Sequence, residues 1–323
     1  MNSNLSWVYF NMLGSCIGGS SYNSQTDTVN INNNLPDSTA IMCLITDSLS
    51  SCIVIDTLVY DSLTGWSMTS NQFLALQTYV PDDNFEQALI NLGYDNLLDD
   101  YIMTANIDTI TYLDVSFENI SDLTGIEAFV NLTELLASDN QLINLDISNN
   151  TALIDLQCGT NQLVSLDVSN NPNLLWIRCY ENQLTSLDLS NNTSLKSLEC
   201  RSNQLTTLDV NGATSLTDLI CYSNSLTTLD LSSNIELISL DFAYNQISSI
   251  NVSNNEDLIT LGAENNLLNS IDVSNNTKLE NLICYSNQLL SADVRNGNNQ
   301  NAEWYMFSDN PNLECISVDN PTY

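Results

Sequence analysis

The chain has 323 residues, 43% of them hydrophobic, with 39 Asp and Glu against 5 Lys and Arg, no histidine and a formal net charge of −34. So anionic an exterior repels nucleic-acid phosphates and anionic lipid, and leaves cations as its natural small partners. The lack of histidine removes the commonest general base, the usual serine and cysteine triads and most zinc and iron ligand sets.

No apolar run approaches the ~18 residues that a membrane-spanning helix needs. The opening "MNSNLSWVYFNMLGSCIGGS" lacks a basic leader and does not read as a signal peptide. Within residues 1–74, "STAIMCLITDSLSSCIVIDTLVYD" alternates in β fashion amid turn-rich Ser, Thr, Asn and Asp, which suggests a β-rich segment, part of a sandwich module. Cys43 and Cys52 would oppose each other if the chain turned at Asp47-Ser48. A hairpin disulfide there would imply an oxidising compartment.

Residues 75–131 read as an N-terminal cap and an irregular first repeat. "PDDNFEQALINLGY" predicts a helix capped by Asp82 or Asp83, with Phe85, Leu89 and Leu92 on one face and Gly93 ending it. "LDVSFENISDLTGIEAF", from Leu113, is the less regular unit that follows.

Residues 132–299 hold eight units of 21 residues without a slip, beginning at Leu132, Leu153, Leu174, Leu195, Leu216, Leu237, Leu258 and Leu279. The template is L-x-x-L-x-C-x-x-N-Q-L-T-x-L-D-[LV]-S-N-N-x-x. Such a period predicts a solenoid, each unit a coil that buries its apolar side only against its neighbours. Two-residue alternation in segments such as Ile177-Arg178-Cys179 predicts a short strand, with the leucines and the cysteine inward.

Three columns need a role. Asn140, Asn161, Asn182, Asn203, Asn224, Asn245, Asn266 and Asn287 share one position, where an amide can both donate to and accept from the backbone of adjacent coils. Asp146, Asp167, Asp188, Asp209, Asp230, Asp272 and Asp293, with Asn251 in the series, form a second column. Each carboxylate can cap the S-N-N turn that follows it; the competing reading is a weak calcium ladder. Cys158, Cys179, Cys200, Cys221 and Cys284 form the third, with Ala137, Phe242 and Ala263 filling the same position in the other units. A position that accepts Phe, Ala or Cys asks for an apolar filler rather than a metal ligand or nucleophile, and parallel thiols suit a disulfide poorly.

Residues 300–323 break the period and read as a closing coil, with Trp304, Phe307 and Ile316 expected over the last core layer.

Outward strand positions would line the concave face. There Trp176, Arg178, Tyr180, Glu199, Arg201, Asp218, Tyr222 and Asp241 gather in adjacent coils, and Trp, Tyr and Arg are the residue types that dominate binding hot spots. The alternative is that Arg178, Glu199 and Arg201 merely neutralise one another on an exposed sheet.

The repeat L-x-x-L-x-[LC]-x-x-N-x-L resembles the leucine-rich repeat family. "VPDDNFEQALINLG", "ISDLTGIEAF", "NQLTSLDLSNNTSL" and "NPNLECISVD" look like the entry helix, first coils, repeats and closing coil of secreted, internalin-like bacterial members. The resemblance implies a mainly β solenoid with a parallel sheet on its concave face, a short helical N-terminal cap, and an extracellular or cell-surface location. Members are often large exported proteins, some with a C-terminal sorting domain for type IX secretion. The implied function is non-enzymatic capture of a protein or glycan, without a cofactor and without membrane insertion. The alternatives are a structural spacer in a large surface protein, or an accessory binding domain attached to a secreted hydrolase. Glycoside hydrolysis is disfavoured, since a regular solenoid face offers no enclosed cleft. The Thr185, Thr206 and Thr227 row, which suggests ice binding, is too short to carry that reading.

Overall fold

The computed structural model describes residues 77–320 in full and, between residues 6 and 69, the backbone of seven strands. The chain divides into two compact units, residues 1–78 and 79–323. In the first, one antiparallel sheet runs in the order Leu49–Ile55, Ala40–Thr46, Ser6–Phe10, Cys16–Asn23, Thr28–Ile31, Gly65–Thr69, Val59–Asp61. Its register opposes Cys43 to Cys52 and ends on the Thr46–Leu49 pair. The expected Cys43–Cys52 disulfide concerns side chains outside the described residues.

The second unit is a mainly β leucine-rich repeat solenoid. Ten strands of three residues form one parallel sheet, from Tyr112–Asp114 through Glu134–Leu136 and Trp176–Arg178 to Trp304–Met306. Pairing keeps the 21-residue period without slippage: Asp155, Trp176, Ser197, Asp218, Ser239, Thr260 and Asn281 are successive partners. Central strand residues such as Leu156, Ile177, Leu198 and Leu219 are buried, as are the unit-opening leucines and the five column cysteines. One core runs from Val80 to Val294. Each buried aliphatic side chain contributes about 1.5–3 kcal/mol, offset in part by the ordering of its coil.

The first asparagine column joins the coils. Asn161 Oδ1 accepts from Leu142 N–H at 3.0 Å, and its Nδ2 donates to Ala137 O at 2.9 Å and Cys158 O at 3.1 Å. The same pattern repeats at Asn182, Asn203, Asn224, Asn245, Asn266 and Asn287, and Asn310 takes the position in the closing coil. A second column sits in the S-N-N turn. Asn150, Asn171, Asn192, Asn234, Asn255 and Asn276 are fully buried and donate to carbonyls of the preceding coil, such as Val168 O and Asn171 O for Asn192. Their Oδ1 atoms are buried and accept no hydrogen bond.

The aspartate column caps turns: Asp146, Asp167, Asp188 and Asp230 accept from the backbone N–H two residues on, at 2.9–3.0 Å. Asn251 accepts in the same way from Ser253, so an amide can replace the carboxylate. Among the described residues, no three His, Cys, Asp or Glu side chains converge as a metal site.

At the N-terminal end, the helix Asp83–Asn91 has Asp82 as its cap; Oδ1 accepts from the N–H groups of Asn84 and Phe85 at 3.0 Å. Asp82 Oδ2 accepts from Ser121 N–H and Oγ–H at 2.8 and 2.7 Å, tying the helix to the first coil. Glu86 is fully buried, with its carboxylate accepting from the N–H groups of Asp99, Asp100 and Tyr101. Phe85 and Leu89 are buried as expected, whereas Leu92 is exposed: it follows the last helical residue, just before Gly93 leaves the helix at φ 83°.

The closing coil corrects the sequence expectation. Trp304 is in register with Asn281, the first position of its strand, so it points outward and is 56% exposed. Ile316 is also exposed, and of the three only Phe307 packs on the core.

Candidate functional site

Alternation sets which side chains the sheet face presents. In the strand Trp176–Arg178, Ile177 is buried while Trp176 and Arg178 point outward, and the pattern continues through buried Cys179 to Tyr180. Trp176 is 38% exposed, the most open of the candidate residues in this strand. Tyr180 lies flat on the neighbouring coil because residue 159 is glycine; a Cβ there would meet the ring carbons at 2.6 Å. The Arg201 guanidinium sits 4.2 Å from the Tyr180 ring centre and 5.6 Å from that of Tyr222, so an arginine lies between two tyrosines one coil to either side.

Both arginines are paired. Arg201 binds Glu199 through Nε and Glu181 through Nη1, each at 2.7 Å, and Arg178 binds Asp155 at 3.1 Å. Arg178 therefore does not share Glu199 with Arg201. Glu181 and Asp155 belong to this cluster although neither is among the sequence candidates. Asp218 and Asp241 lie in the next two strands, in the same sheet and free of any ion pair. Asp218 accepts from Thr217 Oγ1–H at 2.6 Å, and Asp241 from Ala243 N–H at 3.1 Å.

Electrostatics divides the face. From Asp155 to Arg201 both arginines of the face are paired, against three carboxylates, while Asp241 and Glu264 further along have no counter-ion. Burial pushes the Asp241 carboxyl above the usual range, partly offset by the Ala243 N–H. Burial also raises Glu264, countered by its own N–H and reinforced by nearby Asp241. Beside them Tyr285 is pushed up to about 12 by its hydrogen bond with Tyr244, by burial and by the Glu264 charge.

Behind the sheet, the five column thiols are free and buried. Burial pushes Cys179 up to about 12 and raises the others, so none offers a thiolate at neutral pH.

A parallel sheet built from one strand per 21-residue coil, with asparagine ladders and a capping helix, defines a leucine-rich repeat solenoid. No family model matches the chain. Internalin J of Listeria monocytogenes is 35% identical over 85 residues, which are 26% of this chain and 9% of that protein. The functional domain of that internalin, described as including a cysteine ladder, aligns at 28% identity and a TM-score of 0.48 over 74% of this chain and 63% of its own. A leucine-rich repeat protein of Leptospira interrogans shares the fold at a TM-score of 0.58 and 22% identity, over 67% of this chain and 62% of its own. The second unit thus has the leucine-rich repeat fold, and the chain is similar in sequence to internalin J over 26% of its length.

Proposed function

We propose that the sheet face is a recognition surface that captures a protein or glycan ligand without catalysis, on the outer surface of a bacterial cell or in secreted form. The observation that carries this reading is the array of Trp176, Tyr180, Arg201 and Tyr222 on one outward-facing set of strands. Aromatic rings supply large rigid contact area, and arginine supplies directional hydrogen bonds. Arg178, Glu199, Asp218 and Asp241 frame the array with polar groups that fix orientation. The likeness to internalins supports a binding or adhesion module. Against catalysis stands the regularity of the sheet, in which one three-residue strand per coil presents its outward side chains on a single face.

The test is a glycan and protein array probed with the full chain, followed by the variant Trp176→Ala/Tyr180→Ala/Tyr222→Ala. These side chains lie outside the core, so the variant keeps the wild-type circular dichroism spectrum. Loss of every array ligand is expected. Undiminished capture by the folded variant overturns the site.

A further inference from the structure

One outward column of the sheet face holds a glycine that its backbone does not call for. From coil to coil the column runs Ser138, Gly159, Tyr180, Arg201, Tyr222 and Ala243. Gly159 has an ordinary φ, unlike Gly93, Gly125 and Gly297. Its carbonyl accepts from Asp139 N–H at 3.0 Å and from Asn161 Nδ2 at 3.2 Å. One coil earlier, Ser138 O accepts from Phe117 N–H and Asn140 Nδ2 in the same way, both at 3.2 Å. A residue with a side chain therefore suits this backbone, and glycine in such a segment forfeits packing and chain entropy.

What uses the missing Cβ is the ring of Tyr180. A Cβ at residue 159 would stand 2.6, 2.7 and 2.8 Å from Cζ, Cε1 and Cε2 of that ring, so the far end of the tyrosine rests on the glycine. The Arg201 guanidinium lies over the seated ring at 4.2 Å. Glu199 holds it at Nε and Glu181 at Nη1, each at 2.7 Å, and the Tyr222 ring stands 5.6 Å away on the far side. Ring and guanidinium attract each other, and the two carboxylates fix the guanidinium plane. Three large side chains in successive coils are thus ordered from one point, the glycine under the first.

We infer that Gly159 is a positioning residue of the recognition surface: by lacking a Cβ it seats the Tyr180 ring flat, and the seated ring sets Arg201 in the arrangement that a ligand meets. The inference rests on the sheet face being the binding surface. It makes that face pre-organised, so that association does not first have to order Tyr180 and Arg201. A Cβ at residue 159 would lift the ring off the sheet. The clash falls on the movable end of a side chain and leaves the coil in place, and alanine already occupies the same register at Ala243, buried in its own coil. Binding and stability should therefore part company in Gly159→Ala.

Gly159→Ala, Tyr180→Ala and the two combined, each in the full chain, complete a cycle with wild type. The readouts are the near-ultraviolet circular dichroism of tyrosine, the urea unfolding midpoint, and capture on the glycan and protein array as a function of protein concentration. Gly159→Ala should change the tyrosine bands, keep the wild-type midpoint, and weaken by about tenfold each array ligand that Trp176→Ala/Tyr180→Ala/Tyr222→Ala loses. Added to Tyr180→Ala, it should change neither the spectrum nor the midpoint. Tyrosine bands unchanged in Gly159→Ala would overturn the inference whatever the array returns. A spectral change or a loss of midpoint of equal size in both backgrounds would also overturn it, because the glycine would then serve the coil rather than the ring. Full capture by Gly159→Ala, beside loss in the triple variant, sinks the positioning role and spares the recognition surface. Altered tyrosine bands with no array ligand lost in the triple variant sink the recognition surface, and the positioning role with it.

Discussion

At the scale of single residues, two asparagine columns that look alike in sequence do different work. Asn182 Oδ1 accepts from Leu163 N–H at 2.9 Å, and Nδ2 donates to Cys158 O at 3.0 Å and Cys179 O at 3.2 Å, so one amide satisfies a buried donor and two carbonyls. Asn192 only donates, to Val168 O and Asn171 O, and its own Oδ1 is left unpaired. An orphaned N–H costs more than an under-used carbonyl, which keeps a second lone pair. In the second column, residue 213 is already alanine, buried in the same place. Asn182→Ala should therefore destabilise the protein by about 2–4 kcal/mol and Asn192→Ala by about 1 kcal/mol or less, measured from urea unfolding midpoints. Equal losses would show that the columns are equivalent.

At the scale of the coil, each turn out of the sheet passes through a left-handed residue just before the ladder asparagine: Asp139, Thr160, Glu181, Ser202, Ser223, Tyr244, Asn265, Ser286 and Asp309, with φ between 51° and 57°. None is glycine, so each carries about 1–2 kcal/mol of steric strain, and β-branched Thr160 is the worst fitted. Asn161, directly after it, holds the turn by bonding to Ala137 O and Cys158 O. Thr160→Gly should raise stability by about 0.5–1 kcal/mol, the strain relieved less the entropy that glycine loses on folding. A fall in the unfolding midpoint would refute the strain. The same turn explains what was legible in the sequence and what was not. The leucine period and the two-residue alternation were enough to place the core and outward residues such as Trp176 and Tyr180. Glu181 and Tyr244 occupy the left-handed position beyond the strand, where alternation assigns no face, so their approach to Arg201 and Tyr285 was invisible. Trp304 departs from the sequence expectation because the spacing between strands changes there: the last pairing is Asn281 with Trp304, 23 residues on, and the tryptophan lands on the sheet face. The burial of the second asparagine column is not legible in the sequence, because its letters also suit a solvent-exposed turn.

At the scale of the whole molecule, net repulsion and local carboxylate environments act together on the response to acid. The chain carries −34 charges at neutral pH, and every one of its five cations is already paired, so taking up protons relieves self-repulsion. Asp241, Glu264 and Asp95 are raised, each chiefly by burial. The folded state thus binds these protons more tightly than the unfolded state, and stability increases as pH falls from neutral through their folded values toward the unfolded 3.8 for Asp and 4.5 for Glu. Asp146, Asp167, Asp188 and Asp230 have the opposite sign: hydrogen bonds from Ser148, Ser169, Ser190 and Ser232 hold them below 3.8. Their contribution is complete above 3.8 and disappears as pH drops through the lowered folded values. Thermal melts between neutral pH and strong acid should therefore show Tm climbing on acidification, passing through a maximum in the carboxylate range, and then falling. Asp241→Asn/Glu264→Gln should start from a higher Tm at neutral pH and climb less, because the buried carboxylates that resist charging are gone. A Tm that declines steadily from neutral pH in wild type, or a climb unchanged in the double variant, would mean that the unpaired carboxylates of the sheet face carry no such cost.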